Sequence, residues 1–170
     1  MLSSSNTEKR KPVIVLGLGN TLMRDEGVGI RIVQKLEASN SAAFPNVEFA
    51  DYGTAGMRVL HGIANRRKAV IVDCARMGCP PGAIRRFTPE NVRSIKRMPG
   101  FSLHEGDLLN VLSLSRQLGE TPEEVVIFGI EPKEVSPGDT LSNTVKTNIE
   151  KYLDTIRDEL KCTSSHSPKD

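Results

Sequence analysis

The chain has 170 residues, a usual length for one domain with one hydrophobic core. Its 23 lysines and arginines nearly balance its 21 aspartates and glutamates, and the formal net charge of +2 gives no reason to expect nucleic acid as a partner. No run approaches the ~18 consecutive apolar residues that span a bilayer, and residues 1–11 lack the apolar stretch of a secretory signal. We therefore expect a cytoplasmic protein without a nucleic-acid or membrane partner, and the oligomeric state is left open.

Both ends of the chain are polar and lack hydrophobic periodicity. Residues 1–11 are therefore expected to form a flexible N-terminal arm, and residues 161–170 a flexible C-terminal tail. Residues 12–160 are expected to fold as a single α/β domain.

Apolar runs and amphipathic stripes alternate along this domain. Continuous apolar runs predict strands that are buried on both faces, and stripes with helical spacing predict the helices that cover them. The predicted strands are 13–16, 46–51, 69–73, 83–87 and 124–130, the predicted helices begin near residues 27, 57, 108 and 142, and residues 91–100 are expected to form an irregular basic loop. This order predicts a three-layer α/β/α sandwich with a mostly parallel sheet of about five strands and one antiparallel edge strand.

The segment from Gly17 to Gly29 joins the first strand to the first helix and holds four glycines in thirteen positions. Such a density indicates positive φ angles, or a close backbone approach that side chains would prevent. Two adjacent acids, Asp25 and Glu26, lie at the start of the helix, where acidic side chains commonly act as caps. Position alone favours capping for both.

Two further polar residues lie where functional groups of such a sheet gather. Asp73 ends an apolar strand, and His104 precedes the third helix. Because the carboxyl ends of parallel strands meet at one edge, Glu26, Asp73 and His104 can converge there. Two carboxylates and an imidazole suit a divalent cation such as Ni²⁺ or Zn²⁺ and leave a coordination position open. Alternatively, Asp73 only accepts backbone N–H bonds, and His104 is a capping or exposed histidine.

Other chemistries fit these residues less well. Gly17 and Gly19 match the first two glycines of the dinucleotide-binding pattern, but the third is missing from its place. Cys74 follows Asp73 and could be a nucleophile, yet its expected position at a buried strand end favours a packing role.

Five segments, in this order, closely resemble those of the [NiFe]-hydrogenase maturation endopeptidases: GLGNTLMRDEGVG, DYGTAGM, VIVDCARMGCPPGAI, SLH and GIEP. The resemblance covers roughly residues 12–160. It implies an endopeptidase that recognises the nickel-loaded precursor of a [NiFe]-hydrogenase large subunit and removes its C-terminal extension. The chain departs from the family at Tyr52, Cys74 and Glu131, where the family often has glycine, alanine and glutamine.

The resemblance places the family's metal contacts on Glu26, Asp73 and His104. The nickel ion would be carried by the substrate, and zinc or a similar divalent ion could occupy the same site in vitro. Whether the metal only marks the cleavage position or also takes part in hydrolysis is left open, and with it the choice between an aspartyl-type and a metal-assisted peptidase.

Supporting roles are expected for two further groups. The turn made by Gly53, Thr54, Ala55 and Gly56 is expected to line the substrate cleft, where its small residues would let an extended peptide lie close to the backbone. Asp25 either caps the helix, which we favour, or orients a ligand. Two alternatives to the peptidase are a non-catalytic nickel-binding maturation chaperone and a nucleotide-binding α/β module that holds phosphate at the glycine turn.

Overall fold

A computed structural model of the chain describes residues 10–54, 56–95, 102–103 and 107–163. The strands in this part of the chain are β1 (Val13–Leu18), β2 (Val47–Gly53), β3 (Lys68–Arg76), β4 (Ile84–Phe87), β5 (Ser102–Leu103) and β6 (Glu124–Ile130). The helices are α1 (Val28–Asn40), α2 (Gly56–Ile63), α3 (Pro89–Ile95), α4 (Asp107–Gln117), α5 (Asn143–Thr147) and α6 (Ile149–Thr163), with a 3₁₀ turn over Arg24–Gly27 before α1.

Five strands form one sheet in the order β2-β1-β3-β6-β4. Neighbours among β2, β1, β3 and β6 run parallel, and β4 is an antiparallel edge strand on β6. The predicted fold class, including its one antiparallel edge, is confirmed. The two-residue strand β5 was not predicted; it pairs antiparallel with the end of β3, Leu103 opposite Ala75.

Helices cover both faces of the sheet, which explains why β1 is buried along its whole length and β6 at every position after its first. On one face, Val13 and Val15 of β1 pack in a cluster with buried residues of α1 and α6. On the other face, Ile14 and Leu16 pack with buried residues of α2 and α4. Alternate side chains of each strand thus enter opposite hydrophobic layers, and the result is the predicted three-layer sandwich.

Strand β3 extends to Arg76, so the prediction that it ends on Asp73 is wrong. Asp73 pairs with Gly129 of β6, and the strand continues because its last two residues pair with β5. This extension depends on a segment almost thirty residues further along the chain. Asp73 is consequently a buried acid within a strand, with no side-chain exposure.

The prediction of an irregular loop over residues 91–100 is also wrong for its first half, because α3 covers Pro89–Ile95. Asn91 Oδ1 accepts hydrogen bonds from the backbone N–H and the hydroxyl of Thr88, both at 3.1 Å, and Pro89 occupies the first helical position. The backbone N–H of Asn91 donates back to the Thr88 hydroxyl at 3.4 Å, and such reciprocal bonds stabilise a helix start. Residues 96–100 lie outside the described part of the chain.

The ends of the domain differ slightly from the predicted boundaries. Arg10 and Lys11, assigned to the arm, donate hydrogen bonds to the carbonyls of Ala64 and Val47. Helix α6 continues to Thr163, past the predicted start of the tail. Residues 1–9 and 164–170 are not described. Among the helices that are, none combines the length and apolar character needed to cross a membrane.

Candidate active site

The glycine segment brings the start of α1 against the ends of β1 and β3. Gly19 adopts a φ of +132°, which side-chain-bearing residues rarely reach. A Cβ on Gly29 would collide with the backbone carbonyls of Leu18 and Val72. The prediction of positive φ and close backbone approach is therefore confirmed, and it places the 3₁₀ turn with Asp25 and Glu26 at the carboxyl edge of the sheet.

Asp25 is fully buried in this turn. Its Oδ2 accepts hydrogen bonds from the backbone N–H groups of Lys133 and Glu134, both at 2.9 Å, and from the hydroxyl of Ser142 at 2.8 Å. Its Oδ1 accepts the backbone N–H of Ser142 at 2.7 Å. Asp25 makes no capping hydrogen bond to the 3₁₀ turn or α1, because all four of its bonds reach the segment after β6; its position in the first turn is the predicted one.

Glu26 and Asp73 approach the carboxyl edge from neighbouring elements. Glu26 is partly exposed in the 3₁₀ turn, and its backbone N–H donates to the carbonyl of Met23. Asp73 follows Ala69 and Ile71 at two-residue spacing, so its side chain faces the layer formed by α2 and α4.

His104, the third predicted contact, lies outside the described residues. The residue before it, Leu103, pairs with Ala75, and α4 begins at Asp107. Within the described ranges, no group of three histidine, cysteine, aspartate or glutamate side chains has the arrangement of a metal site. The three-residue metal site therefore stays a prediction.

The pKa of the Cys74 thiol is affected by burial and by the acids at this edge of the sheet. Burial raises its pKa far above the usual range, and the carboxylates of Asp73, Glu26 and Asp25 raise it further, in that order, while Arg76 acts weakly in the opposite direction. The thiol is therefore protonated at neutral pH. Cys74 lies in the hydrophobic cluster with residues of α1 and α6, which agrees with the predicted packing role, and a protonated thiol is not the nucleophilic form.

Glu131 is a further buried acid near the site, and from the sequence it was identified only as a departure from the family. It is 7% exposed, and its Oε2 accepts backbone N–H bonds from Met77 at 2.6 Å and Cys79 at 3.2 Å. Its side chain thus holds the loop that follows β3, the strand of Asp73. The available signal was a glutamate directly after the apolar strand β6, immediately before Pro132.

The expected cleft turn lies beside the glycine segment. Gly53 ends β2 with a φ of +55°, and its carbonyl accepts the N–H of Gly19 at 2.9 Å. Thr54 is exposed, Gly56 begins α2, and Ala55 is not among the described residues. This arrangement puts three of the four predicted cleft residues at the carboxyl edge; contact with a substrate stays a prediction.

These features define the protein as an α/β protein whose candidate site is an acidic group at the carboxyl edge of a mostly parallel sheet, the usual location of ligand and active sites in open α/β folds. A family model described as hydrogenase maturation protease matches residues 30–159, most of the chain. The chain belongs to the hydrogenase maturation protease family, and it is a peptidase.

Individual relatives agree with this assignment. The hydrogenase 2 maturation protease of Escherichia coli K12 is 36% identical over 146 residues, which cover 85% of this chain and 87% of that protein. The hydrogenase expression/formation protein HoxM of Cupriavidus necator is 31% identical over 150 residues, 88% of this chain and 74% of that protein. The solved structure of the hydrogenase maturating endopeptidase HybD from E. coli superposes with a TM-score of 0.77 at 33% identity, and the match covers 89% of this chain and 93% of HybD.

Proposed function

We propose that this peptidase removes the C-terminal extension of a [NiFe]-hydrogenase large-subunit precursor in the cytoplasm, and that it acts on the nickel-loaded precursor. The family and the activity for which its relatives are named support the substrate class. The observation that carries the nickel part is geometric: the 3₁₀ turn with Glu26 contacts β3, the strand of Asp73, so two carboxylates come to the same edge of the sheet.

The proposed nickel contacts are Glu26, Asp73 and His104. Carboxylate and imidazole groups are suitable ligands for a borderline divalent ion, and the described pair supplies both carboxylates at one edge. Glu26 is partly exposed and Asp73 is buried, so one contact faces the cleft while the other lies beneath it. Chain connectivity supports His104 as the third contact. The residue before it, Leu103, pairs with Ala75 of β3, the strand that contains Asp73.

In this proposal nickel belongs to the substrate and reports that the precursor has been loaded. Contacts to the ion would position one peptide bond of the extension at the site. A precursor without nickel would lack these contacts, and its peptide bond would not be positioned for cleavage. Hydrolysis breaks the C–N bond of that peptide; water supplies the hydroxyl of the new carboxyl group and the proton of the released amine. Glu26, as the partly exposed carboxylate, is suited to hold the attacking water or accept its proton.

The peptide itself is proposed to lie along the turn after β2. Thr54 is exposed there, and the two flanking glycines, Gly53 and Gly56, leave the backbone accessible. An extended substrate bound at this edge would have its scissile bond near Glu26, because β2 neighbours β1 and Glu26 lies in the segment that follows β1.

The nucleotide-binding alternative is not favoured, because the glycine segment already uses its backbone donors. Gly19 donates to Gly53, Arg24 to Gly138, and Asp25 to Glu134. A phosphate would need such N–H groups and would face the carboxylate of Glu26. The chaperone alternative would keep the nickel contacts but leave the precursor intact.

The test is incubation with nickel-loaded and nickel-free precursor under reducing, anaerobic conditions, with the large subunit measured by mass spectrometry. We expect shortening of the loaded precursor only, and its loss in His104→Ala and Asp73→Asn. Matched controls are His61→Ala and Asp158→Asn, which change exposed residues on α2 and α6 and should cleave like the wild type. No cleavage by folded wild-type protein would overturn the peptidase proposal, and equal cleavage of both precursors would overturn nickel recognition.

A further inference from the structure

Asp25 is a fully buried carboxylate that the proposed reaction does not use. Its four hydrogen bonds run to a segment, residues 133–142, that we call the clamp loop. The donors are the backbone N–H groups of Lys133, Glu134 and Ser142 and the hydroxyl of Ser142. A buried carboxylate is costly unless its oxygens are satisfied in this way, so the number of bonds explains how the charge is tolerated but not why an acid lies there.

Backbone bonds reinforce the same contact on both sides of Asp25. The N–H of Arg24 donates to the carbonyl of Gly138 at 2.9 Å, and the N–H of Gly138 donates back to Leu22 at 2.9 Å. The N–H of Asp25 itself donates to the carbonyl of Glu134 at 3.2 Å. Arg24 is held at a φ of +49°, an uncommon value for a side-chain-bearing residue. The turn is thus fixed to the clamp loop residue by residue up to the position before Glu26.

We infer that Asp25 is a positioning residue for the reaction: by holding the 3₁₀ turn on the clamp loop, it fixes the backbone from which Glu26 reaches the substrate-borne nickel. The inference rests on the proposed function of Glu26. Adjacent side chains in such a turn point in different directions, so one acid can be buried as the holder while the next stays partly exposed as the contact. Residues that orient metal contacts typically change metal affinity or activity by about 10–100-fold when they are altered.

The bonding pattern requires a carboxylate rather than an amide. Every partner of Asp25 is a donor, and both of its oxygens accept. In Asp25→Asn, the amide NH₂ must face either the N–H of Ser142 or the N–H groups of Lys133 and Glu134, so at least one bond becomes a contact between two donors. Ser142→Ala is a milder change, because it removes the hydroxyl and leaves the backbone N–H in place.

The test measures the affinity of the purified full-length protein for Ni²⁺ alone by titration calorimetry, together with kcat and KM on nickel-loaded precursor. We expect Asp25→Asn to weaken Ni²⁺ binding by about 10–100-fold and to lower kcat/KM, and Ser142→Ala to change both in the same direction by less. Asp139→Asn, an exposed acid of the same clamp loop, should be unchanged. Leu160→Ala, which truncates a buried side chain near the end of α6, should lower stability and keep the Ni²⁺ affinity of the wild type.

The outcomes are distinguishable. Asp25→Asn and Ser142→Ala that bind Ni²⁺ and cleave like the wild type would overturn the inference and leave the proposed function intact. If Asp25→Asn does not fold, Ser142→Ala decides alone: unchanged affinity overturns the inference, and weakened affinity with a cooperative unfolding transition supports it. A wild-type protein that neither binds Ni²⁺ nor cleaves overturns the proposed function, and this inference with it.

Discussion

At the amino edge of the sheet, where β3 and β6 begin, a buried positive charge is surrounded by acids, whereas the carboxyl edge gathers acids around one another. Lys68, 2% exposed, forms ion pairs with Glu159 at 2.6 Å and Glu124 at 3.1 Å. Arg86 donates to Glu159 at 2.8 Å as well. Charges of opposite sign therefore alternate across this edge, and each carboxylate has a cationic neighbour.

The acids of the carboxyl edge are held differently. Asp25 and Glu131 accept backbone N–H bonds rather than the side chains of lysine or arginine. Backbone donors satisfy carboxylate oxygens without adding a full positive charge, so the negative character of the edge is kept. Burial is the main cause of the raised pKa of Cys74, and the charges of Asp73 and Glu26 raise it further.

The charged residues of the two edges have different roles. Paired charges at the amino edge hold the chain together and have no need of a ligand. At the carboxyl edge, Glu26 and Asp73 are the proposed contacts of a substrate-borne cation, so their charges are expected to serve the reaction rather than the fold. Variants of the amino edge should therefore act on stability and variants of the carboxyl edge on activity.

The largest effect is expected for Glu26→Gln. The amide keeps the size of the side chain but loses the charge and the ability to accept a proton, so kcat/KM for nickel-loaded precursor should fall by ~100-fold or more. Because Glu26 is partly exposed, the free energy of unfolding should change by less than about 0.5 kcal/mol. Peptidase assays and urea unfolding of the same preparation provide the measurement; a loss of activity explained entirely by unfolding would break the separation of the two edges.

Local patterns in the sequence were sufficient for most of the fold. Strands β1 and β6 were predicted because each is a continuous apolar run, and the helix predicted to begin near residue 142 does begin there, with Ser142 as its N-cap. Helix α3 was missed although Thr88 and Asn91 supplied a local start signal, because the basic residues beyond it were interpreted as a loop.

The candidate site depends on residues of two kinds. Glu26 and Asp73 were identified from their predicted positions at the start of the first helix and at the end of an apolar strand, and the structure brings both to the carboxyl edge of the sheet. The hydrogen bonds of Asp25 were not predicted, because its partners lie 108–117 residues away and no local sequence pattern indicates them. The same holds for the end of β3, which depends on pairing with β5. Long-range hydrogen bonds are the part that local reasoning cannot supply.

A second, moderate effect is expected at the amino edge for Glu159→Gln. The change removes a charged hydrogen-bond acceptor of Lys68 and Arg86, and it should lower the free energy of unfolding at pH 7 by about 1.5–3 kcal/mol. Peptidase activity below the unfolding transition should stay within twofold of the wild type. Loss of activity without loss of stability would contradict the assignment of this edge to stability.

The pH dependence of the same variant sharpens the test. Hydrogen bonding to Arg86, followed by the bond and charge of Lys68, lowers the pKa of Glu159 in the folded state, although burial opposes the shift. A carboxyl with a lowered folded pKa stabilises the protein above its unfolded pKa, and that contribution is lost as the pH falls through the folded pKa. The stability difference between wild type and Glu159→Gln should therefore be full at neutral pH and shrink at acidic pH; a difference that grew on acidification would contradict the ion-pair assignment.

The smallest effect is expected at the carboxyl edge itself, for Cys74→Ala. The thiol is buried and protonated at neutral pH, so it is expected to supply packing and no chemistry. The substitution should cost about 1 kcal/mol of stability through the lost contacts and leave kcat/KM and Ni²⁺ affinity within twofold of the wild type. The matched variant is Cys79→Ala, on the loop that Glu131 holds. If Cys74→Ala abolished cleavage while Cys79→Ala did not, the thiol would belong to the chemistry, and the acids around it would serve to control a nucleophile rather than to bind a cation.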